Sequence, residues 1–450
     1  MNRRHALGSI TAAGLASTLP VSFAADTSTN PSALHPPVLG PRMNFAQADR
    51  VMAELGIDAL VLGDGANFQQ ATGSRPVVTR MGYPPSSLAI VTRRETERLA
   101  IVTPAFSYYY TLSDVLKHSD IPAYIFAFPG QAPDKGQSPG ASLDLFPDRS
   151  EVALDHIERD RLGATHAQVS ELGSFASMDK ALAKALQDLG LSRGRIAVDH
   201  AHVEASLAKA AAEVTTVSAE DALRRIRPVK SETEIQLMRM ASAGNVAAAI
   251  EAVKTVRAGG GYRDLRAEFF AAAARRGQRG VFMVVDRTSD ELYEDTFRDG
   301  QAFLIDCVSE YQGYHGDYGR TVFVGEPRKS MRDAASALAI GWDSIREKLR
   351  PGMKFSEINA LGTKALRSAN KRYNVPFAPH SVGMYHTDHV GYGSLPPRED
   401  IVLEPGMILS IDCPLIESGV GGSAHLEDLM LITADGSEPI HDIGNQTIMV

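Results

Sequence analysis

A chain of 450 residues exceeds what one ordinary hydrophobic core fills and suits two domains, each with a core of its own. Apolar residues make up 44% and the formal net charge is −8, the balance of a globular protein rather than a nucleic-acid binder, and no basic or aromatic cluster contradicts that. No apolar run reaches the length of a membrane-spanning helix.

The chain begins with what reads as a targeting segment, residues 1–24. Arg3-Arg4, with Leu7 following, open onto a mildly apolar run from Ala6 to Phe23, and small residues at Ser22 and Ala24 suit signal-peptidase cleavage after Ala24. The arginine pair and the weak hydrophobicity favour the twin-arginine exporter, although Ala6 stands where a large apolar residue is usual. An ordinary secretory signal is the alternative. Either route gives a periplasmic address in a bacterium.

Residues 25–42 are rich in Ser, Thr and Pro and read as a tether. An α/β domain is expected over 43–227. Its helices are Ala46–Leu55, Thr165–Leu189 and Val203–Glu213. Its strands are Ala59–Leu62, Leu88–Thr92, Leu99–Val102, Ala123–Phe126, Val152–Leu154 and Ile196–Val198. Gly63-Asp64-Gly65 is a turn, and Phe128–Arg149, rich in Pro, Gly and Asp, is a long surface loop.

A second domain is expected over 228–450. Ser231 and Glu234 form a capping box that opens a helix over Glu232–Val256. The glycine run at 258–261 lacks the lysine of a phosphate loop and reads as that helix's C-terminus. A helix over Tyr262–Arg276 leads into a hairpin: apolar Phe303–Ile305, then Asp306, a turn at Tyr311–Tyr314, then Asp317 and a return strand Thr321–Val324. Two carboxylates near the ends of paired strands can converge, and a buried pair of anions needs a cation or a proton; solvated turn and strand-end aspartates are the other reading. Helices Met331–Leu349 and Phe355–Ala369 follow. His380 lies in a Gly-flanked strand-like segment, Asp412 ends a strand after Leu403-Glu404-Pro405-Gly406, and a last strand, His425–Ile432, carries Glu427. Each alone is more often structural, but the order Asp–Asp–His–Asp–Glu over five strand-like segments is hard to dismiss.

Several motifs in fixed order resemble the pita-bread metallohydrolases: Xaa-Pro aminopeptidase, prolidase, methionine aminopeptidase and creatinase. They are Lys230-Ser231 with Glu234, Leu304-Ile305-Asp306, Gly316-Asp317 with Arg320-Thr321, His380 with Gly383, Leu403–Met407, and Glu427-Asp428. Glu54–Leu60 and Asn67 with Thr72-Gly73 resemble the amino-terminal domain of creatinase and prolidase. The resemblance implies an amino-terminal α/β domain before a carboxy-terminal pita-bread domain. It also implies two divalent metal ions, Mn first and Fe, Co or Zn as alternatives. Asp306, Asp317, His380, Asp412 and Glu427 would hold them, with Asp317 and Glu427 bridging. The expected activity is hydrolysis of an amide or peptide bond in a small Xaa-Pro-type substrate, with Asp412 shuttling the proton. Relatives of the prolidase type often dimerise, so a homodimer is compatible with the resemblance.

Three departures from the family pattern matter. Asp412 replaces the usual Glu, which draws the carboxylate back by ~1.5 Å, one C–C bond. Where the peptidases carry a histidine seventeen residues before the first aspartate, this chain has Ser289, and where they carry a second, seven past the metal histidine, it has Thr387. His386 and His389 flank Thr387 and are the candidates to replace it as catalytic groups. Ser289, Thr387, Asp388 and Arg320 are the candidate substrate-binding residues, Arg320 having a supporting role behind a ligand as its alternative. The departures also admit a creatinase-type hydrolase without metal, a metal-dependent lyase of the dimethylsulfoniopropionate type, or a non-catalytic binding module. Cys307 and Cys413 each follow a proposed ligand and should point away from the metals. They read as two buried thiols, or as a disulfide if their strands are neighbours.

Overall fold

The computed structural model describes residues 38–63, 65–116, 119–127, 152–388, 400–417 and 419–450. The targeting segment, most of the tether, Asp64 of the expected turn, the 128–149 loop and His389 lie outside the described residues.

Strands β1 (Ala59–Leu62), β2 (Leu88–Thr92), β3 (Leu99–Pro104), β4 (Ala123–Phe126), β5 (Ser174–Phe175), β6 (Arg193–Val198) and β7 (Glu213–Ser218) form one mixed sheet in the order β5-β4-β3-β2-β1-β6-β7. Alternation along β1 sends Leu60 and Leu62 into one apolar cluster and Ala59 and Val61 into another. The sheet is therefore buried on both faces, which is why its central strands read as continuous apolar runs.

Three expectations fail in this half. Val152–Leu154 is exposed and is not a strand. The single helix expected over Thr165–Leu189 is two helices, His156–Leu172 and Met178–Asp188, with β5 between them. An Asp155/Glu158 capping box starts the first of these, and Gly173, at φ 79°, ends it. Strand β7 and the helix Glu220–Ile226 follow where no element was expected.

In the second half, the Ser231/Glu234 box opens the helix Glu232–Val253 as expected. The glycine run lies beyond that helix, and Gly261 caps the next one, Tyr262–Arg275. Strands β8 (Arg279–Val285), β9 (Ala302–Tyr311) and β10 (Tyr314–Phe323) follow. After them come β11 (Ala378–Ser381), β12 (Ile408–Asp412), β13 (Leu426–Glu427), β14 (Met430–Ile432), β15 (Ser437–Pro439) and β16 (Thr447–Met449). Two sheets result: β13-β10-β9-β8 with β16 beside β10, and β11-β12-β14-β15. The expected last strand over 425–432 is thus two strands in two different sheets.

The β9–β10 hairpin pairs ten residues on each side, closing at Gln312 and Gly313, both at positive φ. Asp306 and Asp317 consequently lie inside long strands rather than near their ends. The helix Glu232–Val253 lies directly on this hairpin. A Cβ on Gly316 would come 2.5 Å from the Cβ of Asn245, so only glycine permits that approach. From the first half, Arg42 Nη1 and Gln69 Nε2 donate to the Gln312 carbonyl at 2.7 and 2.9 Å and hold the hairpin tip. Cys307 and Cys413 are free and buried in different apolar clusters, so no disulfide joins them. Among the described residues, no helix is long and apolar enough to cross a membrane.

Candidate metal centre

Strand register builds the centre. Across the larger sheet Glu427 stands opposite Gly319, and Gly319 opposite Asp306. Asp317 precedes Gly319 by two residues and His425 precedes Glu427 by two, so all four side chains share one face. On the smaller sheet His380 pairs with Ser410 and Ala378 with Asp412, a two-residue offset that puts His380 and Asp412 on one face as well. These faces meet. His380 Nε2 lies 3.3 Å from Asp412 Oδ2 and 3.6 Å from both Asp317 Oδ2 and Glu427 Oε1. His425 Nε2 is 3.1 Å from Glu427 Oε2 and 3.4 Å from Asp412 Oδ1. From the loop after β11, His386 Nε2 reaches Asp317 Oδ2 at 3.3 Å.

Gly319 makes this face possible, because a Cβ there would lie 2.2 Å from His425 Cδ2 and 2.8 Å from Glu427 Cβ. Gly319→Ala is therefore expected to displace both side chains and weaken divalent-metal binding by about 10- to 100-fold, read as metal retained after dialysis.

The electrostatics follow from burying so many charges together. Burial, then the charges of Glu427 and Asp317, push Asp306 well above the usual carboxylate range. Asp317 rises to about 6 through burial and the neighbouring Glu427, partly offset by His386. Burial would raise Glu427 too, but hydrogen bonds from His380 and His425 hold it well below its ordinary value. The imidazoles move the other way. Burial opposes their charge, yet hydrogen bonds to Asp412 and Glu427 hold His380 well above the ordinary value, and Asp412, Cys413 and Glu427 do the same for His425. His386 rises to about 9 against its burial, through Asp317.

The neighbouring carboxylates thus favour protonated imidazoles. A metal ligand must be a neutral imidazole, so binding expels those protons. Divalent-ion uptake at neutral pH is accordingly expected to acidify a weakly buffered solution, and affinity should rise with pH; an indicator-dye titration measures both.

The donor set fits a divalent ion. Asp317, His380 and His386 form one group with ligand atoms within 4.8 Å of one another, and Asp306, Asp412, His425 and Glu427 form a second. Asp306 Oδ1 and Asp317 Oδ1 are buried without a hydrogen-bond partner. Orphaned buried polar atoms are costly, and carboxylate and imidazole together suit a borderline transition ion.

The structure therefore brings together Asp306, Asp317, His380, Asp412 and Glu427, and adds His386. His425 escaped the sequence reading, although its signal was local: a histidine two residues before a proposed ligand on a strand shares that ligand's face.

The expected substrate contacts fare differently. Arg320 is fully buried and its donors are all engaged, by Asn445 O at 2.9 Å, Gly319 O at 2.8 Å, Glu427 O at 2.7 Å, Asp428 Oδ1 at 2.7 Å and Ile443 O, which leaves none for a substrate. It braces Glu427 from behind instead. Asp388 is buried, with its Oδ2 in an ion pair with Lys230 at 3.1 Å. Thr387 Oγ1 lies 3.5 Å from His386 Nδ1. Ser289 is exposed in the turn after β8, and the charge contacts of the centre do not involve it.

Comparison with known proteins adds to this geometry. The profile of metallopeptidase family M24 matches residues 206–434. The probable dipeptidase PepE of Mycobacterium tuberculosis is 29% identical over 248 residues, which cover 53% of this chain and 64% of that protein. The dimethylsulfoniopropionate lyase DddP of Roseobacter denitrificans is 29% identical over 277 residues, 56% of this chain and 60% of the lyase. The chain thus spans a little under two thirds of the length of these curated relatives. The prolidase structure from Pyrococcus horikoshii superposes with a TM-score of 0.60 at 18% identity, covering 88% of this chain and 97% of that one, a likeness of fold.

Proposed function

Since the chain belongs to metallopeptidase family M24 and has its pita-bread fold, we propose that it is a metal-dependent hydrolase cleaving the peptide bond of a small Xaa-Pro-type substrate. The observation that carries this reading is the meeting of four carboxylates and three imidazoles, from two sheets and the loop after β11, in two adjoining groups. Asp306, Asp412, His425 and Glu427 would hold one divalent ion and Asp317 and His380 would supply donors to a second, with His386 beside them. Such ions, when bound, polarise a carbonyl and make water a nucleophile near neutral pH. The oxygen-rich donor set favours Mn.

The protein's own groups divide the remaining work. Glu427, pinned by Ser410 Oγ at 2.7 Å and by His425, stays ionised and fixed. Asp412 and His386 each keep 30% of their side-chain surface open, whereas Asp317, His380, His425 and Glu427 keep 8% or less. The open pair faces the substrate, so the proton that leaves the attacking water passes to Asp412 Oδ2 and the leaving amine takes one from His386 Nε2. The buried residues exclude bulk water from the reacting bond.

A second reading, a lyase, is favoured by two features: the shortened carboxylate at Asp412 and the absence of an imidazole at Ser289. Elemental analysis of the purified protein, followed by assays on Xaa-Pro dipeptides, dimethylsulfoniopropionate and creatine, separates the readings. Dipeptide hydrolysis that fails on chelation and returns with Mn is the expected result. Cleavage of the sulfonium alone, or turnover of creatine by metal-free protein, would overturn the peptidase reading. The Arg3-Arg4 segment supports periplasmic export, tested by cell fractionation after Arg3-Arg4→Lys-Lys, which should retain the protein in the cytoplasm.

A further inference from the structure

A buried ion pair lies beneath the loop that carries His386. Lys230, just ahead of the helix Glu232–Val253, has no exposed side-chain surface, and its Nζ lies 3.1 Å from Asp388 Oδ2, on a side chain 2% exposed. The same Nζ donates to Arg227 O at 2.7 Å. Between His380 and His386 the backbone closes tightly on the pair: a Cβ on Gly383 would meet Asp388 Oδ2 at 2.1 Å and Lys230 Nζ at 2.8 Å.

The loop is held at further points. His315 N donates to Gly383 O at 2.9 Å, Gly383 N to Tyr385 O at 3.0 Å, and Asp388 N to Ser381 O at 2.7 Å. The Arg227 guanidinium lies 5.0 Å over the Tyr385 ring and also bonds Asn67, whose Nδ2 donates to Asp199 at 2.9 Å. Anchors at 383, 385 and 388 thus bracket residue 386, whose ring meets Phe282 edge-on at 5.2 Å and Asp317 at 3.3 Å.

Two apolar side chains of similar volume would serve stability as well as a buried pair, since desolvation offsets most of the attraction between the charges. What the pair adds is direction: a charged hydrogen bond fixes the loop in one place where packing alone tolerates several. We propose that Lys230 and Asp388 are positioning residues that set His386 against Asp317 on the substrate side of the metal centre. This rests on the role given to His386 above, and the experiment separates the two.

Lys230→Met and the charge-free pair Lys230→Met/Asp388→Leu are compared in the full-length protein, each with and without His386→Ala. The single change leaves a buried carboxylate unpaired and should lower thermal stability; the double change should restore it. In the double variant, amide hydrogen exchange across residues 382–388 should quicken about 10-fold or more while the helix Glu232–Val253 is unchanged. Carbethoxylation of His386, mapped by mass spectrometry, should also quicken. These two readouts need no substrate and hold even if the peptidase reading fails. With an Xaa-Pro dipeptide, kcat should fall about 10- to 100-fold at nearly constant KM and metal content, with no further loss on adding His386→Ala. Unchanged exchange and reactivity at the loop, recovery of kcat together with stability, or losses that multiply with His386→Ala would overturn the proposal.

Discussion

Glu427→Gln should leave a folded protein that no longer retains divalent metal and hydrolyses substrate at least about 10³-fold more slowly, a loss of roughly 4 kcal/mol of transition-state stabilisation. The residue is central because it is the one carboxylate of the centre held firmly ionised while fully buried. Ser410 and His425 bond its two oxygens, and His380 stands 3.6 Å away. Glutamine keeps the volume and one acceptor but loses the charge, so His425 and His380 lose the anion that holds their protons. The pattern to look for is native thermal stability, metal near zero by elemental analysis, and negligible turnover. Undiminished activity in a metal-free Glu427→Gln protein would remove the basis of the proposed chemistry.

Arg320→Met is expected to have the largest effect on stability, about 3–5 kcal/mol, because it strips the partner from a buried carboxylate and from four backbone carbonyls at once. Burial already pushes Asp428 up to about 7 even with the guanidinium 2.7 Å away. With Arg320 removed, Asp428 must fold protonated. An aspartate whose folded pKa is raised costs progressively more stability as pH climbs above its unfolded value. The loss from the stranded carbonyls is the same at every pH, and the part due to Asp428 should add to it as pH climbs past about 7, as thermal melts at several pH values will register. Metal affinity should fall with it, since the Glu427 carbonyl loses its brace. A deficit that does not change with pH would mean that Asp428 is not the source of the instability.

His425 and Ser289 mark where reading the chain stops. Local alternation places His425 beside Glu427 without any knowledge of the fold, since residues two apart on an extended chain share a face. Ser289 shows another limit: spacing from Asp306 picks the residue out, but its place in the exposed stretch after β8 is set by the fold. Distance along the chain does not carry the direction in which a turn points.

From residue order alone came the two-half α/β organisation, the capping box at Ser231, the strand-borne positions of Asp306, Asp317, His380, Asp412 and Glu427, and their resemblance to a metal-binding family. These are legible because periodicity, capping and motif spacing act within a few residues. Only the tertiary structure decided that two separate sheets face each other across the centre and that the strand expected over 425–432 divides between them. The same holds for Arg320, turned inward to carbonyls more than a hundred residues away, and for Lys230, which lies under the His386 loop. Such contacts are chosen by burial, because a charge enclosed in the interior takes whatever partner the packing brings near it, and that partner leaves no trace in its sequence neighbours.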